Sequence, residues 1–440
     1  MRAEARTATT GRLAPPTDRL AALPDRLPAV ELAARLPAGF RCGATAAGIK
    51  ASGALDLGIL ATIDGPASAA ATFTTNRVQA APVRLSRQHL EATGGRASAV
   101  ISTSGCANAA TGPAGDRDQA DLTDAVAEAV GAPAEHVLAL STGLIGSRLP
   151  VDAIRRALDR LVPAGLSGTD DALASLAEQL RTTDSRPKAA TVRVSLANAD
   201  GSTALTVSGI AKGVGMIHPR MATMLALVLT DAVVEPATLG ALLPPVVERT
   251  WNQLSVDGDT STNDTVFLLA SGAAGGAAIE EGGGAFATFA AAVEAVARSL
   301  ARQQAADGEG ASTLLTCQVS GAPDDAHARA VAREVVRSSL VKAAIHGRDP
   351  NWGRIAAAAG NATLDGAAVP IETDRLAIAI AGVPVFDGEP IPFDRASLSR
   401  AMAAPEVLVR VDLGLGEGSG EAFGCDLTEQ YVVENSAYST

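Results

Sequence analysis

Apolar positions along the chain follow two periods, one typical of helices and one typical of strands. Spacings of three and four residues predict helices over 116–130, 152–161, 172–179, 238–250, 286–303 and 327–338. Short alternating or continuous apolar runs predict strands over 57–63, 70–73, 99–103, 137–140, 191–196, 203–210, 225–229, 265–270 and 313–319. The pattern also allows a short helix over 29–36, and short strands with turns are expected after residue 354. The mixture predicts an α/β fold with several antiparallel hairpins.

Two of the predicted strands end in turns of small and polar residues, Ser104-Gly-Cys-Ala-Asn108 and Ser141-Thr-Gly143. Glycine and asparagine let such turns present backbone N–H groups to a ligand. A third polar stretch starts at Asp257 and resembles the beginning of a calcium loop. It has Thr262 where that loop needs glycine and Leu268 where it needs an acid, so no calcium site is predicted.

Composition narrows the classes of protein. Only 3% of the 440 residues are aromatic, so the core must consist mainly of Ala, Val, Leu and Ile. The net charge of −12 argues against a nucleic-acid or membrane partner. The four cysteines form no C-x-x-C pair and the five histidines are scattered, so neither a metal site nor a disulfide framework is predicted. No uninterrupted apolar run reaches the roughly 18 residues of a membrane helix, and a cytoplasmic protein is expected.

The first 37 residues differ in composition from the rest of the chain. Residues 1–36 are rich in Ala, Arg, Pro and Leu and have no hydrophobic signal core. A transit peptide would be rich in serine and poor in acids, which this stretch is not. We expect a mobile leader here.

Thr223 is the candidate nucleophile at the middle of the chain. The sequence has no G-x-S-x-G elbow and no Walker loop. A threonine hydroxyl is a poor nucleophile unless its own α-amine acts as base, and that amine has a pKa of about 8. An internal threonine gains a free amine only if the peptide bond before it is cut. The small Ala222 leaves room for the hydroxyl to attack that bond. The alternative is a buried core threonine at the start of a strand.

Motifs along most of the chain help to decide whether Thr223 is a nucleophile or a core residue. Ala211-Lys-Gly-Val-Gly-Met-Ile-His-Pro-Arg-Met-Ala-Thr-Met-Leu225 resembles the cleavage-site signature of the ornithine acetyltransferase family, the self-cleaving glutamate N-acetyltransferases of arginine biosynthesis. The resemblance covers roughly residues 38–440. Its other motifs are Phe73-Thr-Thr-Asn-Arg-Val-Gln-Ala-Ala-Pro82, Ser104-Gly-Cys-Ala-Asn108, Ser141-Thr-Gly143, Ser255-Val-Asp-Gly-Asp-Thr-Ser-Thr-Asn-Asp264, Asp307-Gly-Glu-Gly310, Asp349-Pro-Asn-Trp-Gly-Arg354, Gly424-Cys-Asp-Leu-Thr428 and Glu434-Asn-Ser-Ala-Tyr-Ser-Thr440.

The resemblance implies a role for each matching residue. It implies cleavage between Ala222 and Thr223, and Thr223 as the nucleophile that takes an acetyl group from N-acetyl-L-ornithine and passes it to L-glutamate. Thr142 and Gly143 would form the oxyanion hole. The residues implied around the amino-acid substrate are Thr182, Lys212, Thr223, Glu309, Asn435 and Thr440. Thr183 beside Thr182 is an alternative contact.

The resemblance also implies an architecture. It is an αββα sandwich with smaller α/β subdomains, assembled as an α2β2 tetramer of the two cleavage products. The implied division is a leader 1–37, an α chain 38–222 with the sandwich core, a nucleophile half 223–325 and a C-terminal subdomain 326–440 with the substrate-contacting tail. No metal or organic cofactor is implied, and a bifunctional version would also accept acetyl-CoA.

Three positions depart from the family pattern. Arg220 stands near the predicted cleavage site where asparagine is more common, and Thr103 and Cys106 replace asparagines around the first small-residue turn. Two other functions stay open. One is an amidohydrolase or aminopeptidase that uses water as acceptor, and the other is an uncleaved, inactive homologue that acts as a binding protein.

Overall fold

A computed structural model describes residues 19–21, 23, 26–198, 201–216 and 224–437 of the chain. The strands are β1 Phe40–Thr45, β2 Leu57–Thr62, β3 Ala67–Phe73, β4 Arg96–Ala97, β5 Ala99–Cys106, β6 Val137–Leu144, β7 Lys188–Asn198, β8 Gly201–Lys212, β9 Leu225–Thr230, β10 Leu254–Ser255, β11 Thr265–Ala270, β12 Leu314–Ala322, β13 Thr363–Leu364, β14 Ala367–Ala368, β15 Ala377–Ile380, β16 Val383–Asp387, β17 Glu389–Pro390, β18 Glu406–Asp412 and β19 Gly418–Cys425. The helices are α1 Ala81–Thr93, α2 Gly112–Val130, α3 Val151–Gly165, α4 Asp170–Leu180, α5 Pro236–Arg249, α6 Gly284–Ala306, α7 Asp325–Arg337, α8 Ser339–His346, α9 Trp352–Gly360, α10 Arg395–Ala401 and α11 Glu429–Ala437.

Two sheets form the centre of the molecule. One has six strands in the order β4-β3-β11-β9-β8-β7, and the other has four in the order β1-β2-β5-β6. Because side chains alternate along a strand, the side chains of β9 pack into two different cores. Its Leu225, Leu227 and Leu229 pack toward the four-stranded sheet, while Ala226 and Val228 pack toward α5 and α6.

The other face of the four-stranded sheet is covered in the same way. Ile59 of β2 and Ile101 of β5 share an apolar cluster with Leu122 of α2 and Leu158 of α3. The layers are therefore helices, sheet, sheet and helices, which confirms the predicted αββα sandwich.

A seven-stranded sheet forms a separate subdomain. Its order is β10-β19-β12-β18-β15-β16-β17, and its core includes Val331 and Val335 of α7. The sheet already includes β12, which precedes residue 326, where the C-terminal subdomain was predicted to begin. It also includes β10, whose Leu254 and Ser255 pair with Phe423 and Gly424 of β19. The polar stretch that follows β10 therefore starts from this sheet.

Two predicted segments differ from the structure. The short helix predicted over 29–36 is wrong: Glu31 pairs with Thr191 of β7 through two backbone hydrogen bonds of 2.8 Å, so the segment is extended. β7 is the edge of its sheet and leaves backbone groups for such pairing. The expectation of strands and turns alone after residue 354 is also wrong, because α9, α10 and α11 lie there.

The predicted leader is described only in part. Residues 1–18, 22, 24 and 25 lie outside the described ranges. Leu36 donates its N–H to Asp170 at 2.9 Å, so the end of this segment is bonded to the sandwich. Arg19 and Glu31 are bonded as well, to Asp412 and Thr191, so mobility stays a prediction only for residues 1–18.

Helix α6 is long and apolar enough, by length and composition, to cross a membrane. Its Phe289, Val296 and Leu300 are buried in the core against the six-stranded sheet. Its Arg298 and Arg302 form ion pairs with Glu421 and Glu406 of the C-terminal subdomain. The packing is that of a core helix of a globular protein.

Phe267 offers a test of the sandwich core. Its side chain is fully buried between the two sheets and meets Phe73 edge to face at 6.1 Å. We expect Phe267→Ala to lower the free energy of unfolding by about 3–5 kcal/mol, measured by urea denaturation. Ile63→Ala, at a side chain that is 54% exposed, is the control and should change it by less than about 0.5 kcal/mol. Equal losses in the two variants would contradict this packing.

Candidate active site

The predicted site residues that the structure describes meet at one cavity of about 390 Å³. They are Thr142, Gly143, Thr182, Lys212, Glu309 and Asn435. They come from the sandwich, from the start of the C-terminal subdomain and from α11. Ala222, Thr223 and Thr440 lie outside the described residues, as does Arg220.

The floor of the cavity is formed where β5 and β6 end side by side. Ser104 pairs with Thr142 and Gly105 with Gly143 in parallel register, and the register shifts at Cys106. Gly143 has a φ of +124°, and a Cβ there would lie 2.3 Å from the carbonyl carbon of Gly105. Glycine is required at this position because any side chain would force the two turns apart.

Lys212 brings a positive charge to this floor. It ends β8, is only 3% exposed, and its Nζ donates to the hydroxyl of Thr142 at 3.2 Å. Burial lowers the pKa of Lys212, and the carboxylate of Asp184, 4.0 Å away, opposes that shift. Since the Thr142 hydroxyl accepts this hydrogen bond, its own proton is left to donate elsewhere.

Asp184 links the lysine to a wider buried network. Its carboxylate accepts from Lys188 at 2.7 Å and from the N–H of Gly213 at 2.8 Å. Burial alone would raise the pKa of Asp184, but Lys212 and Lys188 outweigh it and hold the pKa below its usual value. Lys188 also pairs with Asp307 at 2.7 Å. The network keeps Asp184 ionised and fixes the turn that follows Lys212.

Glu309 joins three parts of the cavity. Its Oε1 accepts from the Thr183 hydroxyl at 2.8 Å, and its Oε2 accepts from Asn435 at 2.9 Å. A Cβ on Gly215 would lie 2.1 Å from this carboxylate, so the glycine lets Glu309 approach the backbone. Of the two adjacent threonines, Thr183 makes the hydrogen bond to Glu309, and both line the cavity.

A single loop, residues 256–264, holds both ends of the segment in which the predicted cleavage site lies. The N–H of Met216 donates to Asp257 at 2.5 Å, and the N–H of Met224 donates to Asp264 at 2.9 Å. Asn263 of the same loop donates to the carbonyls of Ala107 and Ser141, at 2.7 and 2.8 Å. The loop therefore connects the cleavage segment to the floor of the cavity.

Asp264 and Asp184 were not predicted as site residues. Asp264 is fully buried, and burial raises the pKa of its carboxyl well above the usual range. Its position in a motif of three acids and several hydroxyls marked the stretch as polar. Asp264 binds the N–H of Met224, 40 residues away, and Asp184 binds the N–H of Gly213, 29 residues away, and the motif revealed neither contact. Within the ranges described, no group of three or more His, Cys, Asp or Glu side chains is arranged to hold a metal ion.

The chain is similar to known proteins over most of its length. Residues 41–440 match the ArgJ family. The arginine biosynthesis bifunctional protein ArgJ of Thermus thermophilus is 46% identical over 410 residues, covering 93% of this chain and 100% of that protein. The protein of the same name from Thermosynechococcus vestitus is 45% identical over 418 residues, covering 91% and 96%. A crystal structure of ArgJ from Bacillus halodurans is 38% identical over 47% of this chain and 96% of that one, with a TM-score of 0.45.

Similarity to these relatives shows that the protein is an enzyme of arginine biosynthesis. The chain belongs to the ArgJ family. The family resemblance found in the motifs is thereby confirmed.

Gly143 provides a test of the cavity floor. Gly143→Ala should lower the free energy of unfolding by at least about 2 kcal/mol more than Gly146→Ala. Both glycines have positive φ, but a Cβ on Gly146 meets nothing within 4 Å. The difference between the two losses in unfolding free energy, measured by chemical denaturation, reports the steric conflict with Gly105. Equal losses would mean that the two turns are not in contact.

Proposed function

We propose that the chain cuts itself between Ala222 and Thr223 and then moves an acetyl group from N-acetyl-L-ornithine to L-glutamate through an acetylated Thr223. Membership of the ArgJ family supports acetyl transfer in arginine biosynthesis. One observation supports the roles proposed for the individual residues. The loop that holds Met216 and Met224 also lines the cavity that contains Thr142, Lys212 and Glu309.

Self-cleavage needs no outside reagent except water. The Thr223 hydroxyl oxygen attacks the carbonyl carbon of Ala222, and the C–N bond breaks as the Thr223 nitrogen takes a proton. The resulting ester is hydrolysed by water, which leaves a carboxylate on Ala222 and a free amine and hydroxyl on Thr223. Asp264 acts as a positioning residue, because it fixes the N–H of the residue that follows Thr223.

Acetyl transfer uses the same hydroxyl. The α-amine of Thr223 takes the hydroxyl proton while the oxygen attacks the acetyl carbonyl of N-acetylornithine. The developing oxyanion is stabilised by donors at Thr142 and Gly143. Lys212 donates to the Thr142 hydroxyl and so leaves that hydroxyl's proton to point at the oxyanion. The ornithine amine leaves with a proton, and the glutamate amine then attacks the acetyl ester.

The charges of the cavity match an amino acid. A substrate carboxylate would pair with the Lys212 ammonium, and a substrate ammonium would pair with Glu309. Thr182 and Asn435 line the same cavity, and Thr440 remains a predicted contact. The buried network of Asp184 and Lys188 holds Lys212 in place, so the cavity is organised before substrate arrives.

The remaining features of the proposal follow from the family resemblance. The two chains stay together as a cytoplasmic α2β2 tetramer, and no metal or organic cofactor takes part. Acetyl-CoA serves as a second acetyl donor to glutamate. Water as acceptor would instead give free acetate, and an assay for acetate against N-acetylglutamate separates the two reactions.

Thr223→Ala tests the cleavage step. Wild-type protein should give two chains, 1–222 and 223–440, whereas Thr223→Ala should stay a single chain of 44.2 kDa because the attacking hydroxyl is gone. Intact mass and N-terminal sequencing provide the readout. Thr288→Ala, at an exposed site on α6, is the control and should be cut as wild type is. A cut Thr223→Ala protein would rule out Thr223 as the nucleophile of cleavage.

Glu309→Gln tests substrate binding. Removing the negative charge should raise the KM for N-acetylornithine by roughly tenfold or more, since a hydrogen bond to a charged group contributes about 1.5–3 kcal/mol. The amide keeps an acceptor for Thr183, so self-cleavage should persist. Glu281→Gln, at an exposed position away from the cavity, should leave the KM unchanged. An unchanged KM in Glu309→Gln would remove this residue from the substrate site.

A further inference from the structure

A second cavity, of about 500 Å³, lies between α7 and the residues that precede and follow β10. Three arginines, Arg329, Arg333 and Arg337, line it from every fourth position of α7. Residues at this spacing lie on one face of a helix, so the three guanidinium groups share one wall. Such a wall is unusual in a chain whose net charge is −12.

Three acids, Glu248, Glu334 and Asp365, also line this cavity, but among the described residues none of them forms an ion pair with Arg329. Glu334 pairs with Arg337 at 3.3 Å, and Glu248 accepts a hydrogen bond from Asn252 at 2.7 Å. The half-buried Arg329 forms no ion pair within the described part of the chain, and its buried Nε has no hydrogen-bond partner there. An arginine that lines a cavity without an ion pair can pair with an anion that enters it.

This arginine cavity adjoins the candidate active site. Thr260 lines both cavities. A Cβ on Gly258, in the same loop, would lie 3.9 Å from the Nε of Arg337. The loop of residues 256–264 therefore lies between the two cavities, with Thr260 at the edge of both.

We propose that the arginine cavity binds a small molecule that carries phosphate. The planar guanidinium fork matches phosphate oxygens in pairs, and several arginines on one wall suit a ligand with more than one negative charge. The phosphate belongs either to an acyl donor whose other end reaches the active site, or to a separate phosphorylated effector. The first source rests on the acetyl transfer proposed above, whereas the second does not.

Calorimetric titration of the full-length purified protein with inorganic pyrophosphate tests the site. We expect saturable binding that Arg329→Gln weakens by about tenfold or more, since it removes a charge-assisted contact. Arg333→Gln serves as the second variant if Arg329→Gln fails to fold, as judged by its melting temperature. Arg160→Gln makes the same charge change at an exposed position of α3 and should bind as wild type does.

The result that overturns the proposal is no saturable binding, or equal binding by wild type and both cavity variants. The titration measures binding and does not depend on catalysis. A protein that does not transfer acetyl groups would therefore still show whether pyrophosphate binds. Kinetics then identifies the source of the phosphate. Pyrophosphate that inhibits transfer only from acetyl-CoA assigns the cavity to a phosphorylated donor. Pyrophosphate that changes transfer from N-acetylornithine assigns it to an effector.

Discussion

Two aspartates of one loop hold the two ends of the segment that contains the Ala222–Thr223 bond. Asp257 binds the N–H of Met216 and Asp264 binds that of Met224. β8 and β9 are antiparallel neighbours with Lys212 opposite Leu225, so the chain leaves the sheet and re-enters it at adjacent positions. A cut in the segment between β8 and β9 leaves both of these strands paired in the sheet. The fold can therefore lose that peptide bond without losing its core, and Thr223 stays bonded to a residue that is fixed.

Electrostatics fixes the rest of the cavity. Lys212, Lys188, Asp184 and Asp307 form a network that is almost entirely excluded from water. Removing one member of such a network would leave a buried charge without compensation, which is far more costly than losing a surface ion pair. The positive group at the cavity floor therefore has a fixed position and a fixed partner, Thr142. Glu309 supplies the opposite charge in the same cavity, and the two charges would orient the proposed amino-acid substrate.

The sequence was sufficient for the layers of the fold but not for every segment. Strands such as 225–229 and 265–270 were predicted because their continuous apolar residues fill cores on both faces. Residues 29–36 were wrongly predicted as helical because pairing with the edge of β7 overrides local propensity. The helix at 352–360 was missed although its alanine run favours one.

Prediction of the site depended on motifs rather than on local chemistry. Thr142, Lys212 and Glu309 are far apart in sequence, and only the family pattern brought them together before the fold was known. The roles of Asp264 and Asp257 at the cleavage segment could not be predicted because each binds a backbone N–H there, and a backbone N–H carries no sequence signal. The three arginines of α7 are visible as a four-residue repeat, but the cavity they line is formed by a hairpin and a loop from elsewhere in the chain.

The central claim is that Thr223 begins a chain and carries the acetyl group. The most direct measurement is the intact mass of the protein after mixing with N-acetylornithine in the absence of glutamate. The account predicts a chain beginning at Thr223 whose mass rises by one acetyl group and returns to its starting value when glutamate is added. A chain that carries no acetyl group under these conditions, or an acetyl group on a different residue, would contradict it.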